Sequence, residues 1–481
     1  MVELRAGQTL ETALNSSRLQ RPSRWPLEQA LAKAARRSGV FLHLPAHRGG
    51  AGRPPSAPVL PWHWDLPELP EIGGPLESEG AVAKSQELLA DRLGAERSWY
   101  GVNGASGLLQ ACLLAAAQRT GQLLLPRNLH RSLLYGCALA GETPSLYSPP
   151  LDPHTGLWQP LPPAQLESLL QQAGPVSLLV LLSPTYQGIA SDLPALVAIA
   201  HRHGVPVLVD EAHGGHFSFE SSLPASALAA GADLVVHSVH KSLGGLGQSA
   251  ALHAQGSAFA PALLEQALAW LQTSSPSALL MLSAEQAYGH QFSVAGARQL
   301  RSRLQQARVL RDQLVAAGIP LLANDDPLRL VLHTGAWGCS GAEADDWLMQ
   351  QNVIAECPEL LSLTFCLGLG PVRPFSRRLR KALQRMQQAK AAAPLPPLQP
   401  PTFPLISGLS LSPQQAWAGP SEEVPLDKAS GRIAAELICP YPPGIPVVLP
   451  GEQLEAERLE WLQQQQRLWS GQIPDTVRVL V

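Results

Sequence analysis

Between residues 80 and 255 the chain alternates short apolar runs with longer stretches of helical character. "SWYGV" leads through "NGASG" into "LLQACLLAAAQRTG", and "QLLLP" leads into "RNLHRSLLYGCALAG". "VSLLVLLSP", "DLPALVAIAHRHG", "VPVLVDEA" and "ADLVVHSV" follow in turn. Unbroken Val and Leu runs predict strands covered on both faces, and helices between them predict a parallel sheet. From about 257 to 390 the pattern reads mainly helical, including "ARQLRSRLQQARVLRDQLVAAG" with its glycine stop at Gly318. "APLPPLQPPTFPL" reads as an extended linker and "ERLEWLQQQQRLW" as a surface helix. The chain thus divides into an N-terminal helical or extended arm (1–60), a large α/β domain (61–275), a helical small domain (276–393), a proline-rich linker (394–405) and a C-terminal domain (406–481).

Composition narrows the function. A net charge of -3 over 481 residues provides no field for nucleic acid. Six scattered cysteines without C-x-x-C spacing fit reduced, buried thiols. The N-terminus has no apolar signal core, and no run approaches the roughly 20 apolar residues of a membrane span. A cytoplasmic protein with no membrane partner is expected.

The chain has six lysines, and one of them, Lys241, follows the apolar "ADLVVHSV" and precedes a glycine run. Lysine is ordinarily a solvated surface residue, so this placement asks for a chemical reason. In an open α/β sheet, ligands bind beyond the carboxyl ends of the strands. Asp210 ends "VPVLVD", Ser183 ends "LLVLLS", and Asn103 to Gly107 follow "SWYGV", so these residues converge with Lys241 on one rim. A lysine and an aspartate at neighbouring strand ends match the needs of pyridoxal phosphate: an amine to condense with the aldehyde and a carboxylate to keep the ring nitrogen protonated. A buried ion pair is the plainer alternative. "NGASG" between strand and helix offers backbone N–H groups and the Ser106 hydroxyl to a phosphate. His130 begins the next helix, where it serves either as a polar cap or as a ring that stacks on a cofactor.

Competing motifs fail on their own terms. "DEAH" would need G-x-x-x-x-G-K-[ST], and no Gly-Lys pair occurs. The pairs His213/His216 and His237/His240 have zinc-like spacing, but residues three apart on a strand point to opposite faces, so no metal site is expected. No G-x-S-x-G elbow is present.

Taken together, "SVHKSLGGLGQSA", "VDEAHGGHF", "LLSPTYQGIASDL", "RNLHRSL", "LPAHRGG" and "CPYPPGIPVVLPGE" resemble the Orn/Lys/Arg decarboxylase family, across about Leu42 to Glu452. The resemblance implies fold type I (aspartate aminotransferase-like): a mainly parallel sheet domain that binds pyridoxal 5'-phosphate, with a smaller C-terminal α+β region. It makes Lys241 the Schiff-base lysine, Asp210 the pyridinium partner and His130 the stacking residue, with His213 near the ring. Ser238 and His240 become phosphate or active-site contacts, His240 with a catalytic role. Ala105 and Ser106 form the phosphate cradle, and Ser275 reaches the phosphate of a partner subunit, which implies a homodimer or higher homo-oligomer. Glu452 is the candidate for the distal charge of the substrate.

Three positions depart from the family pattern: Ala105 replaces a hydroxyl residue, Gly247 stands in an altered segment after Lys241, and Ala278 replaces a tyrosine. The implied reaction is decarboxylation of lysine, arginine or ornithine to the amine and carbon dioxide. Two rivals stand beside it. One is an aminotransferase or other fold-type I enzyme, with Arg373 as a carboxylate anchor. The other is a degenerate cofactor-binding protein with a regulatory or interaction role.

Overall fold

The computed structural model describes residues 25–36, 61–390, 392–398, 403–439, 445–466 and 473–481. Most of the arm expected over 1–60, the "LPAHRGG" block and the "PYPPG" turn lie outside the described residues.

Each of the five apolar runs forms a strand. The large sheet contains β1 (Arg97–Gly101), β2 (Gln122–Pro126), β3 (Ser145–Tyr147), β4 (Val176–Leu182), β5 (Val207–Asp210), β6 (Leu234–His237) and β7 (Ala250–Ala254). Their order is β1-β7-β6-β5-β4-β2-β3, with Ile406–Gly408 from the C-terminal region as the eighth, outermost strand. Strands β3, β2, β4, β5 and β6 run parallel, while β7 lies antiparallel to both β6 and β1. Helices cover both faces, leaving one apolar core on each side of the sheet. That double burial is why the strands carry no polar alternation.

Three expectations need correction. The stretch expected to be helical over 276–393 contains a four-stranded antiparallel sheet made of Leu321–Leu322, Arg329–His333, Cys357–Pro358 and Ser362–Cys366. The helix Ala278–Gln291 packs in the core of the large sheet, so the large domain runs past residue 275. The proline-rich segment is no free linker: Leu398 packs on Leu360 and Leu361, and the Phe403 ring lies 4.7 Å from the Arg127 guanidinium. The helix Ala456–Gln466 also buries one face, with Leu459, Trp461 and Leu462 packed against the hairpin of Ser421–Pro425 and Thr476–Leu480. No described helix is long and apolar enough to cross a membrane.

Candidate active site

Register brings the chemistry to one rim. Leu182 of β4 pairs with Asp210 of β5, and Asp210 pairs with Val236 of β6, so the chain leaves all three strands at the same level. Beyond them lies a cavity of about 210 Å³. Its walls include Ala105, Ser106, His130, Asp210, His213, Ser238, His240 and Lys241. These eight, each singled out by sequence, come together around a single space.

Lys241 sits in the short helix Val239–Ser242 that opens directly after β6. Its Nζ lies 3.2 Å from Nε2 of His213 and 5.5 Å from the centre of the Tyr186 ring, which stacks at a tilt on His213 with centroids 4.3 Å apart. Burial lowers the lysine pKa, the charge of Asp210 opposes that change and the charge of Arg329 adds to it. Asp210 is buried, and its Oδ1 accepts the N–H of Ala212 at 3.2 Å. Burial raises its pKa, against the pull of Lys241. His213 is held well below the ordinary histidine range by burial and then by Lys241. With Nε2 accepting from Lys241, the proton of neutral His213 resides on Nδ1, a buried atom with no partner.

His130 caps the helix Arg131–Ala140: its Nδ1 accepts the Ser132 N–H at 3.3 Å and lies 2.8 Å from the Ser132 hydroxyl. Burial, then Lys241, lowers its pKa to about 4, so the ring is neutral at neutral pH. Capping and lining the cavity are therefore compatible roles for one side chain. Ser238 Oγ lies 3.2 Å from His240 Nδ1.

The expected phosphate cradle falls at the start of the helix Gly104–Ala116, whose first-turn N–H groups have no carbonyl in the helix to bond. Gly104 enters it at φ 70°, in the left-handed region that favours glycine, and donates its N–H to the carbonyl of Gln248 at 3.0 Å. That bond ties the helix start to the loop after Lys241. Ala278, at the start of the helix Ala278–Gln291, is buried in the core, and Gly247 has open space around it.

Two expected residues lie elsewhere. Glu452 is absent from the cavity wall: its Oε1 pairs with Arg127 and, at 3.0 Å, with Arg458, and its Oε2 accepts the Leu449 N–H at 3.2 Å. Two guanidiniums and one backbone N–H occupy three of its acceptor sites, so the charge expected to face the substrate is matched by Arg127 and Arg458. Ser275 is exposed and also outside the wall. Ser183 serves the turn, its Oγ accepting the Ser191 N–H at 3.0 Å. The side chain of Arg373 lies outside the described residues. No group of metal-ligating side chains forms among the described residues.

Sequence reasoning assigned no role to Tyr186, Gln187 and Trp158, which also line the cavity. The first two follow β4 by only a few residues, the same signal that marked Asp210 and Lys241. Trp158 comes from the long connection between β3 and β4 and left no such mark.

The donor set fits pyridoxal phosphate. A part-buried amine with a lowered pKa, a buried carboxylate with a raised one, an unpartnered buried imidazole N–H and unbonded N–H groups at a helix start enclose one cavity.

Comparison with known proteins agrees. Residues 25–325 match the family model for the major domain of Orn/Lys/Arg decarboxylases, and residues 407–474 match that for the C-terminal domain. Arginine decarboxylase of Bacillus subtilis (strain 168) is 30% identical over 454 residues, covering 91% of this chain and 92% of its own. The structure of lysine decarboxylase A from Pseudomonas aeruginosa superposes with a TM-score of 0.81 at 19% identity, over 98% of this chain and 81% of that one. SPT with pyridoxal phosphate superposes with a TM-score of 0.52 at 18% identity, over 64% and 76%. Both likenesses show the fold type I architecture expected from the sequence. The large matched span, the cavity around Lys241 and the fold together place the chain in the Orn/Lys/Arg decarboxylase family, as a pyridoxal phosphate-dependent decarboxylase.

Proposed function

We propose that the protein converts a basic amino acid to its amine and carbon dioxide, with L-arginine ranked ahead of lysine and ornithine. The observation that carries the reading is the pairing of Lys241 with His213 in the cavity that Asp210 closes. The ranking of arginine rests on the Bacillus subtilis relative, which spans 91% of the chain.

When bound, pyridoxal phosphate supplies an electron sink for the pair left on Cα as carbon dioxide departs. Lys241 would hold it covalently, and burial makes its free amine more available than that of a surface lysine. Asp210 would hold the proton of the ring nitrogen. The Ala105 and Ser106 N–H groups, with the Ser106 and Ser238 hydroxyls, would hold the phosphate. Neutral His130 presents an uncharged ring. Lys241, whose amine donates to His213 Nε2, would be the group that returns a proton to Cα. In a homodimer, Ser275 of a second copy would complete the phosphate site.

The test is carbon dioxide release from arginine, lysine and ornithine, with keto acid measured in parallel. Release from at least one, without keto acid, is expected. Keto acid without carbon dioxide would turn the assignment toward an aminotransferase, and cofactor binding without either product toward a regulatory protein.

A further inference from the structure

Among the described residues, His213 has one side-chain hydrogen bond, the one its Nε2 accepts from Lys241, and its Nδ1 has none. The plane of its ring is therefore set by packing, and the ring it packs on is Tyr186, with centroids 4.3 Å apart. Tyr186 stands on the turn after β4, at residues 185–190, which is stitched to the small domain. The Gly188 carbonyl accepts the N–H groups of Asp325 and Asp326 at 2.9 and 3.0 Å, Asp325 Oδ2 accepts the Ala190 N–H at 2.8 Å, and Asn324 Nδ2 donates to the Gln187 carbonyl at 2.8 Å. Those bonds hold the backbone of the turn and leave the far end of the Tyr186 side chain to another partner. Its hydroxyl donates to Oε1 of Glu356, the residue before the small-domain strand Cys357–Pro358. Burial, and then that bond, push the tyrosine pKa up, so the phenol stays protonated and is the donor.

We infer that Glu356 is a positioning residue: by holding the Tyr186 hydroxyl it fixes the plane of His213, and with it the hydrogen bond that Lys241 donates. The inference deepens the reading above and rests on it, since it takes Lys241 as the group that returns the proton. A proton donor must be held to a fraction of an ångström, and a group remote from the chemistry can set that placement. Glu356 makes no hydrogen bond to Lys241 or His213, so it has two routes to them, its charge and its grip on Tyr186. After burial and Asp210, Lys241 feels the charge of Arg329 more than that of Glu356, and with the opposite sign. That leaves the bond to Tyr186 as the specific route. Glu356 is exposed and lines a small-domain cavity of about 340 Å³, so shortening it removes the contact without opening the core.

The experiment is a double-mutant cycle on the pyridoxal phosphate-loaded protein, with Glu356→Ala, Tyr186→Phe and the two combined. Carbon dioxide release is measured with whichever of arginine, lysine and ornithine the protein turns over, beside the visible circular dichroism of the bound cofactor and urea unfolding. Each single variant should lower kcat about tenfold while KM changes by less than about threefold. Each should also weaken the dichroism and keep the unfolding midpoint of the wild type. The double variant should fall no further than either single one in kcat or dichroism, because both substitutions remove the same bond. Glu356→Gln, whose amide oxygen can still accept the hydroxyl, should recover most of both signals. Losses that multiply to about 100-fold in the double variant would overturn the inference. So would a Glu356→Gln variant as impaired as Glu356→Ala, which would assign the effect to charge, or a fall in the unfolding midpoint that accounts for the lost activity. A wild-type protein that binds the cofactor but releases no carbon dioxide defeats the decarboxylase reading alone, and the dichroism cycle still decides the role of Glu356.

Discussion

Asp210 and Glu211 are neighbours in sequence and both are buried, yet they belong to opposite kinds of surroundings. Behind the sheet rim, Glu211 accepts from Ala227 N–H at 2.9 Å and pairs with His237 Nε2 at 2.7 Å. His237 Nδ1 meets the Tyr288 hydroxyl at 2.9 Å, which lies 3.2 Å from His253 Nε2, and His253 Nδ1 meets Ser98 Oγ at 2.8 Å. Every ring nitrogen and carboxylate oxygen in this chain of five side chains has a partner. In front, Asp210, His213 and Lys241 face a cavity, and the Nδ1 of His213 has no partner at all. Burial is common to both clusters, so burial does not mark the site. Incomplete pairing next to empty space does, because a satisfied network fixes structure whereas unsatisfied groups await a ligand.

The contrast breaks if the two clusters respond alike to mutation. The largest effect belongs to Lys241→Ala, which should lower carbon dioxide release by at least about 10,000-fold and abolish borohydride trapping of the cofactor, with an unchanged unfolding midpoint in the cofactor-free protein. Next comes Asp210→Asn, expected to cost about 100-fold or more in kcat. Its stability should hold or rise, since a neutral amide relieves the burial of charge. Behind the rim the pattern should invert. His237→Leu leaves Glu211 enclosed without its partner, at a cost of roughly 3 kcal/mol or more in stability, measured by urea unfolding. The folded fraction should retain its cofactor band and most of its turnover. A His237 variant that kept its stability but lost activity would assign the rear network to the chemistry and end the distinction.

How much of this was legible in sequence follows from distance along the chain. Lys241, Asp210, His130 and Ser106 each lie within a few residues of the end of an apolar run, and a parallel sheet sends all such ends to one rim. Strand periodicity therefore located them without any knowledge of contacts. The small-domain sheet was missed because its strands are two to five residues long and pair antiparallel around helices that dominate the local pattern. Glu452 was singled out only by its place in the last family block, and its pairing with Arg127, 325 positions away, leaves no periodicity in the sequence.

A final, smaller effect belongs to two carboxyls that burial treats alike. Glu285 and Glu359 are each pushed from an ordinary 4.5 up to about 7. Glu285 caps the helix Pro26–Ala35, its Oε1 accepting the Leu27 N–H at 2.9 Å and its Oε2 the Glu28 N–H at 2.7 Å. An acid with a raised folded pKa leaves the native chain holding more protons than the unfolded one between 4.5 and 7. Stability therefore declines as pH rises through that window and levels off above it. Each group contributes a slope of at most about 1.4 kcal/mol per pH unit. Glu285→Gln and Glu359→Gln should each flatten the stability profile, read from urea midpoints across the window. A variant whose profile stayed as steep as that of the wild type would show that the carboxyl it lacks does not titrate in this window on folding.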